Sequence, residues 1–156
     1  MKKELLYKFV ASGFGIGEMN YIPQLWASIF ALIVALVLKQ LPFAEVSILV
    51  IILATVLIGG YCAQKFITHE HKPSWIVVDE MAGTWIALYF FSESLLLNLF
   101  AFVTYQLINF CKPLIKINRK GRFKKWFKFV MLDDIVAGVF SNSLVYFILL
   151  VIVDNK

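Results

Sequence analysis

Charge is scarce in this 156-residue chain. Asp, Glu, Lys and Arg make up 16% of it, where soluble domains carry about 25%. The apolar fraction of 61% stands above the usual share of about 45–50%. Too few charges and too many apolar groups describe a chain that places much of its surface in lipid. Cysteine is nearly absent as well. Cys62 and Cys111 end apolar runs and stand in no CxxC or other ligand spacing, which argues against a disulfide framework and a cysteine metal site. The two histidines, His69 and His71, lie in the polar stretch "THEHKPS" and read as a solvated loop. Proline is rare, and no internal repeat or low-complexity linker is visible, so the length suits one domain, 1–156. Gly13, Gly15 and Gly17 do not form a dinucleotide-binding pattern. The net charge of +5 needs no nucleic acid, because basic residues beside apolar spans face anionic lipid head groups equally well. The opening "MKKELLYKF" resembles the basic start of a signal peptide, but "VASGFGIGEMNYIP" is too polar for its apolar region, so no cleaved signal is expected.

Four apolar regions are present: 22–38, 46–63, 81–111 and 130–153. A spanning helix needs about 20 residues, so the first, second and fourth suit one crossing each. The third, broken by "SES" at 92–94, is too long for one crossing and awkward for two, since 81–91 alone is short. Charge bias sets the parity. The segment 112–128 holds 8 of the 15 basic residues, which places it on the cytoplasmic side. Lys2, Lys3 and Lys8 put the N-terminus on the same side. These sides agree when the third region crosses twice, leaving only Lys39 and Lys156 outside. The expected fold is an all-α membrane bundle of about five crossings, with the segments around "SES" short, tilted or re-entrant. A soluble helical domain with a membrane-associated face is the alternative.

That sidedness brings two acidic pairs to one membrane face. Asp79 and Glu80 open "MAGTWIALYFF", and Asp133 and Asp134 open "IVAGVFSNSLVYF". One acid at a helix N-terminus needs no function, because free N–H groups and the macrodipole favour it. Two adjacent acids are less well explained that way. Asp79 and Gly83 are four apart, as are Asp134 and Gly138, so each acid shares a helical face with a glycine. Glycine allows close helix approach. Two helices packed through Gly83 and Gly138 would gather the carboxylates, which repel unless a cation joins them. Oxygen donors favour a hard cation, and Mg²⁺ commonly combines one or two carboxylates with substrate phosphate. The residues thus point to a phosphate-handling metal site at head-group depth. Lys and Arg of the 112–128 loop, Arg119 and Arg122 among them, suit an anionic lipid, although positive-inside bias alone accounts for them. Gly15 and Gly17 would let backbone N–H groups approach a phosphate, and a flexible entry to the first helix explains them equally well.

"VVDEMAGTWIAL" at 77–88 and "MLDDIVAGV" at 131–139, with "ASGFGIG" and "CKP" at 111–113, resemble the signatures of the phosphatidylglycerophosphatase A family in order and spacing. The resemblance implies a small helical protein of the bacterial cytoplasmic membrane with its site facing the cytoplasm. It implies Mg²⁺-dependent removal of the terminal phosphate of phosphatidylglycerophosphate. Asp79, Glu80, Asp133 and Asp134 would be the acidic residues, Lys112 the phosphate-side lysine, and Ser28 a retained substrate contact. The chain departs from the pattern at 24–27, and at Gln106 and Asn109, where the family has Arg and Asp. Losing both charges together suggests compensation, with Gln106 and Asn109 hydrogen-bonded to each other. The competing reading is a protein that kept the fold and lost the chemistry. An ion carrier ranks last, since its acids belong at mid-bilayer.

Overall fold

The computed structural model describes residues 2–67, 72–91, 94–111 and 131–154, and all its regular elements are helical. Besides a 3₁₀ turn at Ile16–Glu18 they are α1 (Lys2–Ala11), α2 (Pro23–Leu38), α3 (Ala44–Gln64), α4 (Val78–Leu88), α5 (Leu95–Cys111) and α6 (Leu132–Asp154). Within α3 the turn Thr55–Gly59 is a π-helix. Among the described residues, two helices are long and apolar enough to cross a membrane, Ala44–Gln64 and Leu132–Ile152, while α2 and α5 are apolar but shorter.

The long third region breaks around "SES" as its polarity predicts, giving α4 and α5. The first half is short. Eleven residues at about 1.5 Å each reach roughly 16 Å, about half of a hydrocarbon core. Yet α4 is the centre of the molecule, buried at every position except Ile86. Small residues make this possible. Ala27, Ala31 and Ala35 recur every four residues along α2 and are fully buried in the core cluster shared with α4. The Trp85 indole N–H donates to the Ala31 carbonyl at 2.8 Å. On the other side, α6 meets α4 through the two expected glycines. A Cβ at Gly138 would lie 2.5 Å from the Gly83 carbonyl oxygen, and one at Gly83 would lie 2.8 Å from the Asp134 carbonyl oxygen. Neither backbone leaves space for a methyl group. Side chains lock the remaining contacts: Ser141 Oγ donates to Ala101 O at 3.0 Å, and Asn142 Nδ2 to Ala87 O at 3.0 Å.

The glycine-rich segment after α1 is a compact turn, with Gly13, Phe14 and Gly15 at φ of 60°, 62° and 92°. It packs on the segment that leads into α4: a Cβ at Gly17 would lie 1.9 Å from Trp75 O, and Val77 N donates to Ala11 O at 3.2 Å.

Candidate active site

The crossing of α4 and α6 sets the first turns of both helices side by side. Asp79 and Glu80 on α4 and Asp134 on α6 are buried, at 1%, 6% and 4% exposure. Asp133 is half-buried one residue earlier. Three carboxylates so enclosed require partners, because an isolated buried charge is strongly disfavoured.

Much of that partnership comes from α5. The fully buried Tyr105 hydroxyl lies 3.2 Å from Glu80 Oε2, 3.4 Å from Glu80 O and 3.3 Å from Asp134 Oδ1. It has one proton to donate, so it bridges carboxylates of two helices without satisfying both at once. One turn further on, Asn109 Nδ2 donates to Glu80 Oε2. The expected Gln106–Asn109 hydrogen bond is not made. Asn109 turns to Glu80, and Gln106 Nε2 is buried with no partner among the described residues. A carboxylate is the stronger acceptor, so the Asn109 amide is drawn to it rather than to a neighbouring amide.

The third acid is partnered from the loop ahead of α4. Lys72 Nζ donates to Asp79 Oδ2, while Asp79 Oδ1 is buried and has no hydrogen-bond partner among the described residues. Burial pushes the Asp79 carboxyl up to about 6, with Lys72 pulling the other way and Asp134 adding to the rise. Burial alone would depress the Lys72 ammonium; the carboxylates of Asp79, Asp134 and Glu80 outweigh it and hold the amine above its ordinary value.

The other expected site residues are distributed around this cluster. Gly15 N donates to Ser12 Oγ and Gly17 N to Ser12 O, so both N–H groups are engaged within their own turn. Ser28 is fully buried on α2, and its hydroxyl has no partner among the described residues. Lys112, Arg119 and Arg122 lie outside the described residues, as do His69 and His71. Sequence reasoning missed Lys72 and Tyr105, and gave Asn109 the wrong partner. Lys72 had a signal in the charge model, which put it on the acids' side, but nothing aimed it at Asp79.

The donor chemistry suits a hard cation, since every acid presents oxygen and Asp79 Oδ1 is unclaimed among the described residues. Among the described residues, no three His, Cys, Asp or Glu side chains already converge on one metal position. Between α2, α3 and α4 runs an apolar groove of about 400 Å³, lined by Phe30, Val34, Ile51, Ile58, Val78 and Met81 among others. Its floor residues Val78, Met81 and Trp85 follow an i, i+3, i+7 stripe on α4, the helix that carries Asp79 and Glu80.

The family description of phosphatidylglycerophosphatase A matches residues 9–149. Phosphatidylglycerophosphatase A of Escherichia coli (strain K12) is 29% identical over 150 residues, covering 91% of this chain and 83% of that protein. A Bacteroides thetaiotaomicron protein provisionally named a phosphatidylinositol-3-phosphatase is 29% identical over 143 residues, covering 87% of this chain and 89% of that protein. No solved structure matches the chain at comparable significance. Buried acids on two glycine-packed helices and a match over nearly the whole length lead to one assignment: the chain belongs to the phosphatidylglycerophosphatase A family, and so to the phosphoric monoester hydrolases.

Proposed function

We propose that this protein removes the terminal phosphate of phosphatidylglycerophosphate, giving phosphatidylglycerol and inorganic phosphate. The observation that carries the reading is the cluster of Asp79, Glu80 and Asp134, drawn from two helices onto the Tyr105 hydroxyl. Breaking a phosphate monoester is mainly a matter of positioning and charge stabilisation. Each residue has a task of that kind. Tyr105 and Asn109 fix the Glu80 carboxylate, and Tyr105 sets its distance from Asp134. The first-turn N–H groups of α4 add positive potential at the same end. Mg²⁺ fits the oxygen donors. It would be held by Asp79, Glu80 and Asp134 with Asp133 beside them, and would neutralise charge on the phosphoryl oxygens. Lys112, Arg119 and Arg122 would supply further positive charge, and Gly15, Gly17 and Ser28 would border the substrate. The apolar groove beside α4 suits an acyl chain of the same lipid.

The protein is read as a multi-pass membrane protein with about five crossings, its N-terminus and site on the cytoplasmic side. Two span-length helices and the basic cluster at 112–128 support this. A second substrate, phosphatidylinositol 3-phosphate, is favoured by the equal identity to the Bacteroides relative. It presents the same phosphomonoester on a different head group. The reading of a fold without chemistry has less support, because all four acids are retained and three are engaged at one site.

The test uses purified protein in detergent, both lipids in parallel, and phosphate release measured with and without Mg²⁺. Phosphatidylglycerophosphate should be hydrolysed in a Mg²⁺-dependent way. Asp134→Asn should lower turnover by roughly two to three orders of magnitude, the scale of losing a preorganised electrostatic group. Normal turnover in that variant would sink the assignment.

A further inference from the structure

Lys72 belongs to none of the motifs and stands on the loop before α4, seven residues from Asp79. Its ammonium donates to Asp79 Oδ2, its one hydrogen bond among the described residues. An ammonium has three donors. Two are therefore without a protein partner there. The Lys72 side chain is 32% exposed and that of Asp79 is 1% exposed. The charge thus sits between a sealed carboxylate and the surface. A phosphate dianion entering toward Asp79, Glu80 and Asp134 meets like charge, which a cation on its path must offset. Lysine suits that place, as a compact charge on a flexible stem that can turn to a new acceptor while keeping the old one.

We propose that Lys72 is a phosphate-binding residue of the active site. One ammonium N–H stays on Asp79, and the other two take oxygens of the entering phosphate. This rests on reading the acids as a phosphatase site. It assigns Lys72 to recognition of the head-group phosphate, so its loss weakens substrate binding more than it slows the chemical step. A merely structural ion pair would change the melting midpoint and leave KM where it is.

The full-length protein in mixed micelles, with phosphatidylglycerophosphate titrated, separates the two. Lys72→Met should raise KM by about tenfold, the scale of one charge-assisted hydrogen bond, with kcat much less affected. Lys72→Arg should recover most of the loss. An unchanged KM in Lys72→Met overturns the proposal, whatever the melting midpoint does. Calorimetric binding of inorganic phosphate gives a readout that needs no turnover. Wild type should bind it more tightly than Lys72→Met, and equal affinities also overturn the proposal. Should wild type hydrolyse no lipid phosphate, the phosphatase reading falls, and phosphate binding still decides whether Lys72 holds that anion.

Discussion

The two ends of α4 each meet a lysine from elsewhere in the chain, and the two lysines are used differently. At the C-terminal end, Lys39 lies just past α2 and donates to Leu88 O at 2.7 Å, to Phe91 O and to Asn98 Oδ1 at 2.5 Å. Asn98 Nδ2 then donates to Phe91 O at 2.8 Å and Ser94 O at 2.9 Å. Three ammonium donors meet three acceptors, so carbonyls that a helix end leaves open are closed. At the N-terminal end, among the described residues, Lys72 makes one hydrogen bond and Asp79 Oδ1 none, while the Tyr105 hydroxyl reaches carboxylates of two helices. Saturated polar groups hold a structure together, whereas groups with capacity left over are those a ligand can complete. The same short helix is anchored at one end and chemically open at the other.

The contrast breaks most severely if α6 is moved off α4. Gly138→Ala sets a methyl group against the Gly83 carbonyl oxygen at 2.5 Å and Ile86 Cβ at 3.1 Å. The helix must shift, and Asp134 shifts with it relative to Glu80. Phosphate release should fall by about 10²-fold, the scale of a 1 Å misplacement in a positioned site. Full activity with a normal melting midpoint would show that the glycine contact does not set the spacing of the acids.

A gentler change addresses the open end alone. Tyr105→Phe keeps the ring and removes the hydroxyl between Glu80 and Asp134. Glu80 retains Asn109, so its carboxylate stays partly fixed. Phosphate release should drop by about tenfold, in keeping with the loss of one hydrogen bond to a charged group. A variant with wild-type turnover would remove Tyr105 from the site and leave it a packing residue.

The acids and their glycines were legible in the sequence because their relation is local. A spacing of four residues places Asp79 with Gly83 and Asp134 with Gly138, whatever surrounds them. The break at "SES" was legible too, since polar residues interrupt an apolar run. The shortness of α4 was foreshadowed by the 11-residue stretch 81–91 ahead of "SES", but its central position was not. Burial at every position but one depends on the small residues Ala27, Ala31 and Ala35 of another helix. Lys72, Tyr105 and Lys39 escaped for a different reason. Their partners stand on other elements, up to 59 residues away for Lys39, and no periodicity encodes such pairs. Asn109 shows the limit best: a partner three residues off seemed natural, and Glu80 from another helix took its place.

The smallest effect is expected at the closed end, and it carries a pH signature. Burial lowers the Lys39 pKa from 10.5 to about 8. The folded value lies below the unfolded one, so between pH 8 and 10.5 the unfolded chain binds more protons than the folded chain. The contribution of Lys39 to stability therefore rises with pH across that window. Below it, both states carry the charge, and the three hydrogen bonds repay part of its burial. Lys39→Met should lower the melting midpoint at neutral pH, because the Leu88 and Phe91 carbonyls lose their ammonium donor. The variant should also show a flatter rise of the midpoint toward pH 10 than wild type does. KM for the lipid should not move, since Lys39 lies at the opposite end of α4 from the acids. A shifted KM with an unchanged midpoint would mean that the closed end, too, answers to substrate.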